Sequence, residues 1–121
     1  MKNNSTPTQI KAKLGLHDVS DTDTVTALMT AYEGLLNNPK FPNPPVTLAD
    51  FKSGIDQYSA LIIDAEDGGK KAKSALGKQR GVVIKMYTQL GQYVQNACND
   101  DLATFDTSGF TQQPKKVRTA P

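Results

Sequence analysis

Apolar residues recur every three or four positions over most of residues 20–97, a spacing that predicts helices and fits no strand. The first predicted helix begins near Ser20 or Asp21, because Ser20-Asp21-Thr22-Asp23 offers several N-cap candidates and places acidic residues in the first turn. Asn37, Asn38 and Pro39 end it, since asparagine accepts a left-handed C-cap and proline cannot continue a helix. Its apolar face comprises Val25, Leu28, Met29, Tyr32, Leu35 and Leu36.

A stiff connector and a strong helix start follow. Residues 39–46 contain four prolines, which exclude a helix there and favour an extended, polyproline-like course with Phe41 packed on the core. Thr47 can cap the next helix, and the Asp50 side chain can reach back to the Thr47 amide. Val46 and Phe51 occupy the positions of a hydrophobic staple.

Two further helices are joined by the turn Asp67-Gly68-Gly69. The second is predicted from Leu48 to about Glu66, and the third from about Lys70 to Asn99. The second carries a heptad-like seam, widened by Leu61, at Leu48, Phe51, Ile55, Tyr58, Ile62 and Ala65. The third carries a main stripe at Ala72, Leu76, Val83, Tyr87, Leu90, Val94 and Ala97, extended sideways by Val82, Met86 and Tyr93.

These elements predict an all-α fold, an antiparallel up-and-down bundle of three main helices. Residues 1–19 are predicted to form an N-terminal arm packed on the body, with a short helical turn as one option. Residues 20–110 form the helical bundle, in which Leu102 and Phe105 indicate one further helical turn and Phe110 a last anchor. Residues 111–121 are predicted to be a flexible basic tail or linker.

Composition and charge limit the classes of function that the sequence supports. Fourteen basic against twelve acidic residues give a net charge of +2, which by itself does not indicate nucleic-acid or anionic-membrane binding. No run of residues is apolar and long enough to span a bilayer. The chain shows no signal peptide, so a cytoplasmic location is the default unless the protein is processed or exported by another route. Cys98 is the only cysteine, which excludes an intramolecular disulfide.

No group of residues has the spacing of a catalytic or metal site. His17 is the only histidine, and no second ligand stands at a metal-binding spacing from it. Cys98 is predicted to be a small buried hydrophobe, because a helix C-terminus does not stabilise a thiolate. Gly68-Gly69-Lys70-Lys71 follows a helix, which is the wrong context for a phosphate loop. We therefore expect no metal, no cofactor and no enzymatic activity.

Three glycines lie inside the third predicted helix, where each costs about 1 kcal/mol relative to alanine. Gly77 and Gly81 form a Gly-x-x-x-Gly pair, and Gly91 follows. Close approach of another backbone is the physical reason for such a pattern, either within the bundle, which we favour, or from a second subunit. The predicted interface residues are Gly77, Gly81, Val82, Met86, Gly91 and Tyr93.

Basic residues are the best indication of a nucleic-acid partner. Six of them, including Lys78, Arg80 and Lys85, lie along the third helix. They lack interleaved aromatic residues and a helix-turn-helix signature, so a solvated helix face is the default and nucleic acid is disfavoured. The candidate basic patch consists of Lys70, Lys71, Lys73, Lys115, Lys116 and Arg118.

Three segments carry a resemblance to a known group of proteins: Asn38-Pro39-Lys40-Phe41-Pro42-Asn43-Pro44-Pro45-Val46-Thr47-Leu48, Tyr93-Val94-Gln95-Asn96-Ala97-Cys98-Asn99-Asp100-Asp101 and Ser108-Gly109-Phe110. With these segments the chain resembles a helical module of uncharacterised bacterial proteins, in which a fibronectin type III-like domain often follows. The resemblance spans most of residues 20–118 and rests on structural anchors, with no catalytic residue among them. It implies a structural or adhesion-like accessory role.

The sequence thus predicts a noncatalytic structural or protein-interaction module, with self-assembly as one form of that role. The expected partner is a protein, including a second copy of the chain. The alternative is a nucleic-acid-binding accessory protein that uses the basic third helix and tail.

Overall fold

The computed structural model describes residues 10–113. They form three main helices, α1 (Asp21–Leu35), α2 (Leu48–Asp67) and α3 (Lys70–Ala97), and a short helix α4 (Leu102–Asp106). Gly68 and Gly69 alone separate α2 from α3, so these two helices form an antiparallel hairpin. Within this part of the chain no strand is present, and the predicted all-α bundle of three main helices is confirmed. None of the described helices is long and apolar enough to cross a membrane.

Side-chain caps fix the starts of α1 and α2, with Ser20 acting among the several candidates before α1 and Thr47 acting before α2 as predicted. The hydroxyl of Ser20 accepts a hydrogen bond from the Asp23 amide, and the hydroxyl of Thr47 accepts one from the Asp50 amide, both at 3.1 Å. The expected return bond from the Thr47 amide to the Asp50 carboxylate does not form within the described residues, because aspartate is one methylene shorter than the glutamate of a full capping box. Asn37 adopts the left-handed conformation expected of it after α1, with φ of 56°.

The end of α3 differs from the prediction. The helix stops at Ala97, two residues early, because Asn99 and Asp100 both adopt left-handed backbone angles, with φ of 59° and 60°. Ala97, predicted to lie on the apolar stripe, is exposed, and Cys98 is buried in its place. The prediction that Cys98 is a buried hydrophobe is confirmed, since its side chain is only 1% exposed.

A single core joins the helices to the connector and to the C-terminal residues. Phe41 in the connector and Phe110 after α4 are both buried, as predicted, and Phe110 stacks on the ring of Tyr87 at a centroid distance of 4.8 Å. Of the predicted C-terminal turn, Phe105 is buried whereas Leu102 remains exposed. The largest fully buried side chains are Tyr58, Phe51, Phe105, Leu28, Leu35 and Ile55.

The arm is extended and pairs with the residues that follow the bundle. The Lys13 amide donates to the Thr111 carbonyl and the Gln113 amide donates to the Lys11 carbonyl, both at 2.7 Å, around an antiparallel bridge between Ala12 and Gln112. The sequence prediction placed residues 111–113 in the tail. They are held instead by backbone hydrogen bonds to the arm. Polar residues can make these bonds, so the sequence shows no apolar pattern that would predict them. Residues 114–121 of the predicted tail lie outside the described residues.

Helix α1 also contacts the loop after α4 backbone to backbone. A Cβ atom at Gly34 would overlap the Ser108 carbonyl group, and one at Gly109 would overlap the Thr30 carbonyl group. Gly109 has a φ of 81°, which also favours glycine. These two glycines therefore bring α1 and the C-terminal loop closer together than residues with a side chain would permit.

Candidate interaction surface

The guanidinium of Arg80 is the centre of a polar cluster that joins all three main helices. Its Nη1 atom donates to the Asp21 carboxylate at 2.7 Å, and to the hydroxyls of Thr24 and Tyr58 at 3.1 and 2.9 Å. The Tyr58 hydroxyl also donates to Asp21. Because Asp21 begins α1 and Tyr58 lies in α2, this cluster fixes where α1 sits against the α2–α3 hairpin.

The same side chain holds the arm. Its Nη2 atom donates to the carbonyls of Leu16 and Val19 at 2.6 and 2.9 Å. Further along the arm, the Ala12 amide donates to the side chain of Gln95 at 2.7 Å, and the Ile10 amide to that of Asp100 at 2.9 Å. The arm is thus attached through its backbone, by polar side chains from α3 and the turn after it.

Burial and hydrogen bonding change the acid–base properties of this cluster. Burial, and then the hydrogen bond to Asp21, raise the pKa of Tyr58 to about 12 despite the opposing effect of Arg80. Burial acts to lower the pKa of Arg80, but the hydrogen bonds to Asp21 and Tyr58 together outweigh it and raise that pKa. Both side chains therefore keep their neutral-pH charge states, and the cluster is a structural clasp at physiological pH.

Sequence reasoning placed Arg80 in the basic stretch and missed the clasp. A signal was present, because Arg80 stands four residues after Leu76 and three before Val83, in line with the main apolar stripe of α3. A cation in an apolar stripe needs a buried partner. That partner, Asp21, lies 59 positions away, and no local pattern identifies it.

Gly77 and Gly81 lie in an open groove of about 450 Å³ between the arm and α3, which is lined also by Leu14, Leu16, His17 and Ile84. A Cβ atom at either glycine would meet no atom within 4 Å. The predicted close backbone approach is therefore not made at this pair by any described residue. Gly91 differs, because it is buried and a Cβ atom there would overlap the Leu14 side chain.

The other three predicted interface residues lie elsewhere on α3. Tyr93 packs edge-on against Phe41 at a centroid distance of 6.0 Å and accepts a hydrogen bond from the Asn43 amide at 3.0 Å. Met86 is half-buried beside Gly54, and Val82 remains 41% exposed. The structure thus does not bring the six predicted interface residues to one surface.

A different surface is open on the α2–α3 hairpin. Arg80 points to α1 and the arm, and Val82, two residues further, is rotated by about 200° and faces away from them. Residues spaced by three and four extend this side along both helices. We define the outer face as Gln57, Leu61 and Asp64 of α2 with Lys71, Ala75, Lys78 and Val82 of α3.

The charges on the outer face are segregated by helix. Asp64 lies on α2, whereas Lys71 and Lys78 lie on α3, and none of the three forms a salt bridge among residues 10–113. Asp64 lies near the C-terminal end of its helix and Lys71 near the N-terminal end of its own. Each charge has the sign that the helix dipole disfavours, at a typical cost of about 0.3–1 kcal/mol. Within the described fold, therefore, these charges do not stabilise their own helices.

The remaining candidate side chains form no reactive group. His17 is 87% exposed and lies 3.2 Å from Asp18. Over the described ranges, no cluster of three histidine, cysteine, aspartate or glutamate residues is arranged to hold a metal ion. A second open groove, of about 630 Å³, follows the connector from Asn37 to Leu48.

Only three of the six residues of the candidate basic patch lie among the described residues. Lys70, Lys71 and Lys73 are exposed at the start of α3 and take part in no salt bridge within the described part of the chain. Arg80 is committed to the internal clasp, which removes it from the basic surface. The other members of the patch, Lys115, Lys116 and Arg118, lie outside the described residues.

Comparisons with family models, with curated proteins and with solved structures found no match to this chain. The resemblance to a helical module that precedes fibronectin type III-like domains therefore stays a prediction.

Proposed function

We propose that this protein is a noncatalytic protein-interaction module whose outer face receives a protein partner. The observation that carries the proposal is the combination of exposed apolar and unpaired charged residues on that face. Leu61 and Val82 are only partly covered, and Asp64, Lys71 and Lys78 have no charged partner among the described residues. A partner that covers the apolar pair and pairs the charges would satisfy both features.

The position of the outer face supports the same role. The arm and α1 are held on the opposite side of α3 through Arg80. The connector meets α3 at Tyr93, eleven residues beyond Val82. A rigid two-helix surface with no covering segment from the described chain is therefore presented to solvent, and a rigid surface loses little entropy on binding.

The experiment is site-specific cross-linking in cells. A photoreactive amino acid at Ala75, which is exposed on the outer face, should form covalent adducts with a protein. The same residue at Thr26, exposed on α1, serves as the matched control and should not. Absence of adducts from Ala75, or equal adducts from both positions, would contradict the proposal.

A nucleic-acid partner is the second candidate, favoured by one observation. All six charged residues of α3 are basic. Binding through them requires affinity for a labelled duplex that falls steeply as salt rises, and that weakens in the Lys71→Glu/Lys78→Glu variant. No binding at low salt would exclude this candidate.

A further inference from the structure

We propose that the partner at the outer face is a second copy of this chain, related by a two-fold axis that runs along the α2–α3 hairpin. This inference rests on the proposed function and specifies its partner. A two-fold interface pairs a surface with itself, so the surface must be complementary to its own rotated copy. The outer face meets this condition because α2 contributes the carboxylate of Asp64 to it and α3 contributes Lys71 and Lys78.

The two helices also differ in their overall charge. Helix α2 contains five carboxylates and one lysine, whereas α3 contains six basic residues and no carboxylate. Two hairpins can face each other about an axis along their length or about an axis across it. The first arrangement places α2 against the partner's α3, and the second stacks α2 on α2 and α3 on α3. Opposite charges attract only in the first, and like charges repel in the second.

The hairpin turn sets the heights at which residues meet in the first arrangement. Asp64 lies four residues before Gly68, and Lys71 lies two residues after Gly69. At 1.5 Å per residue, Asp64 and the Lys71 of a second copy differ by about 3 Å in their height, which is their position along the hairpin axis measured from the turn. A lysine side chain can span this difference. Leu61 falls at a height between Ala75 and Lys78, where the aliphatic part of the lysine can cover it.

Access to the outer face is compatible with this arrangement. Because α1 and the arm lie on the opposite side of the hairpin, two copies can approach without moving either segment. The resulting dimer has four antiparallel central helices, with the two α1 helices outside. On this face only Val82, which is 41% exposed, and the partly buried Leu61 add large apolar surface, so we expect a weak dimer that forms in the micromolar range or above.

The test uses two charge-reversal variants of the full chain. Lys71→Glu/Lys78→Glu makes the α3 side of the outer face acidic, and Gln57→Lys/Asp64→Lys makes the α2 side basic. Each variant alone places like charges opposite each other at both symmetry-related contacts. We expect each to weaken self-association by roughly 30-fold or more, as measured by light scattering or sedimentation over a concentration series.

Mixing the two variants is the decisive step. In a mixed pair, the acidic α3 of one chain meets the basic α2 of the other, and the remaining contact has the wild-type charges. The mixture should therefore regain a species of twice 13.1 kDa. Lys71→Glu and Asp64→Lys both favour the dipole of their own helix, so loss of folding is not expected, and thermal unfolding checks this.

A matched control separates this surface from general charge effects. Lys40→Glu/Lys73→Glu makes the same two lysine changes outside the outer face, since Lys73 lies seven residues before Arg80 on the side of α1. It should self-associate like the wild type. A wild type that stays monomeric into the millimolar range, variants that still associate, or a mixture that does not recover would each overturn the second-copy proposal. If the protein is monomeric and Ala75 still cross-links a different protein, the proposed function stands and only its partner is wrong.

Discussion

Replacing Arg80 by methionine tests whether the polar clasp holds the arm and α1 on the hairpin. Methionine keeps much of the apolar part of the side chain and removes five hydrogen bonds, to Asp21, Thr24, Tyr58, Leu16 and Val19. Four N–H groups, two on Nη1 and two on Nη2, make these five contacts, and at about 0.5–1.5 kcal/mol net for each N–H group they would contribute about 2–6 kcal/mol.

The true loss should lie near the lower limit. The Asp21 side chain is 36% exposed, so water can solvate part of the carboxylate once Arg80 is gone. We expect the free energy of unfolding to fall by about 3 kcal/mol, which lowers the melting temperature of a domain of this size by roughly 10 °C. Arg80→Lys should fall between this variant and the wild type, because one ammonium group cannot reach both Asp21 and the arm carbonyls.

Two measurements check the reasoning. Urea unfolding gives the free-energy change, with Lys85→Met as a control that removes an exposed cation from the same helix and should change stability by less than about 0.5 kcal/mol. Hydrogen exchange at the Ala12 and Lys13 amides reports whether the arm detaches, and it should accelerate in Arg80→Met. An Arg80→Met protein within about 0.5 kcal/mol of the wild type, with arm exchange unchanged, would refute the role assigned to the clasp.

Further predictions concern glycines and pH. Gly34→Ala should destabilise the protein by about 1–3 kcal/mol, since the added methyl overlaps the Ser108 backbone. Gly77→Ala should stabilise it by about 1 kcal/mol, because this position is helical and open. Thermal unfolding of both variants measures this difference, and equal effects would contradict it. Tyr58 must keep its proton to donate to Asp21, and its pKa of about 12 exceeds the ordinary value of 10.0. Its contribution is therefore complete below pH 10 and is lost as pH rises towards 12. Urea midpoints over this range should fall more steeply for the wild type than for Tyr58→Phe, and parallel curves would disprove the shift.

The helices could be predicted from the sequence because their causes are local. Three- and four-residue spacing identifies an apolar face, and the caps at Ser20 and Thr47 act within three residues. The end of α3 was harder, because nothing in Asn99 and Asp100 requires both to adopt left-handed angles.

The contacts between the chain ends could not be predicted in this way. The Gln113 amide donates to the Lys11 carbonyl, and these are main-chain groups that do not depend on the side chain. The residue types at these positions therefore do not predict the pairing. The close approach at Gly34 is similar, since its partner Ser108 is far along the chain. Glycine spacing was misleading for a related reason. Four-residue spacing shows that Gly77 and Gly81 share a side of α3, but it does not show whether anything packs there.

The candidate surface was foreseen in part. The sideways extension of the α3 stripe at Val82 and Met86 indicated a second contact side, and Val82 does remain exposed. The opposite charges that α2 and α3 contribute to the outer face could not be predicted from the sequence. They follow from the fold, which places Asp64 and Lys71 on the same face of one hairpin.

The cations of α3 differ in the hydrogen-bond and charge partners that the fold gives them. This difference is the strongest support for a partner on the outer face. Arg80 lies on the side that packs against α1, and there the fold supplies a carboxylate, two hydroxyls and two carbonyls. Lys71 and Lys78 lie on the opposite side, and within residues 10–113 no carboxylate pairs with them. The Asp64 carboxylate, on α2, belongs to the same hairpin and is exposed to solvent on the same face. A second hairpin, rotated by half a turn, presents Asp64 to Lys71 and presents Leu61 to the aliphatic part of Lys78.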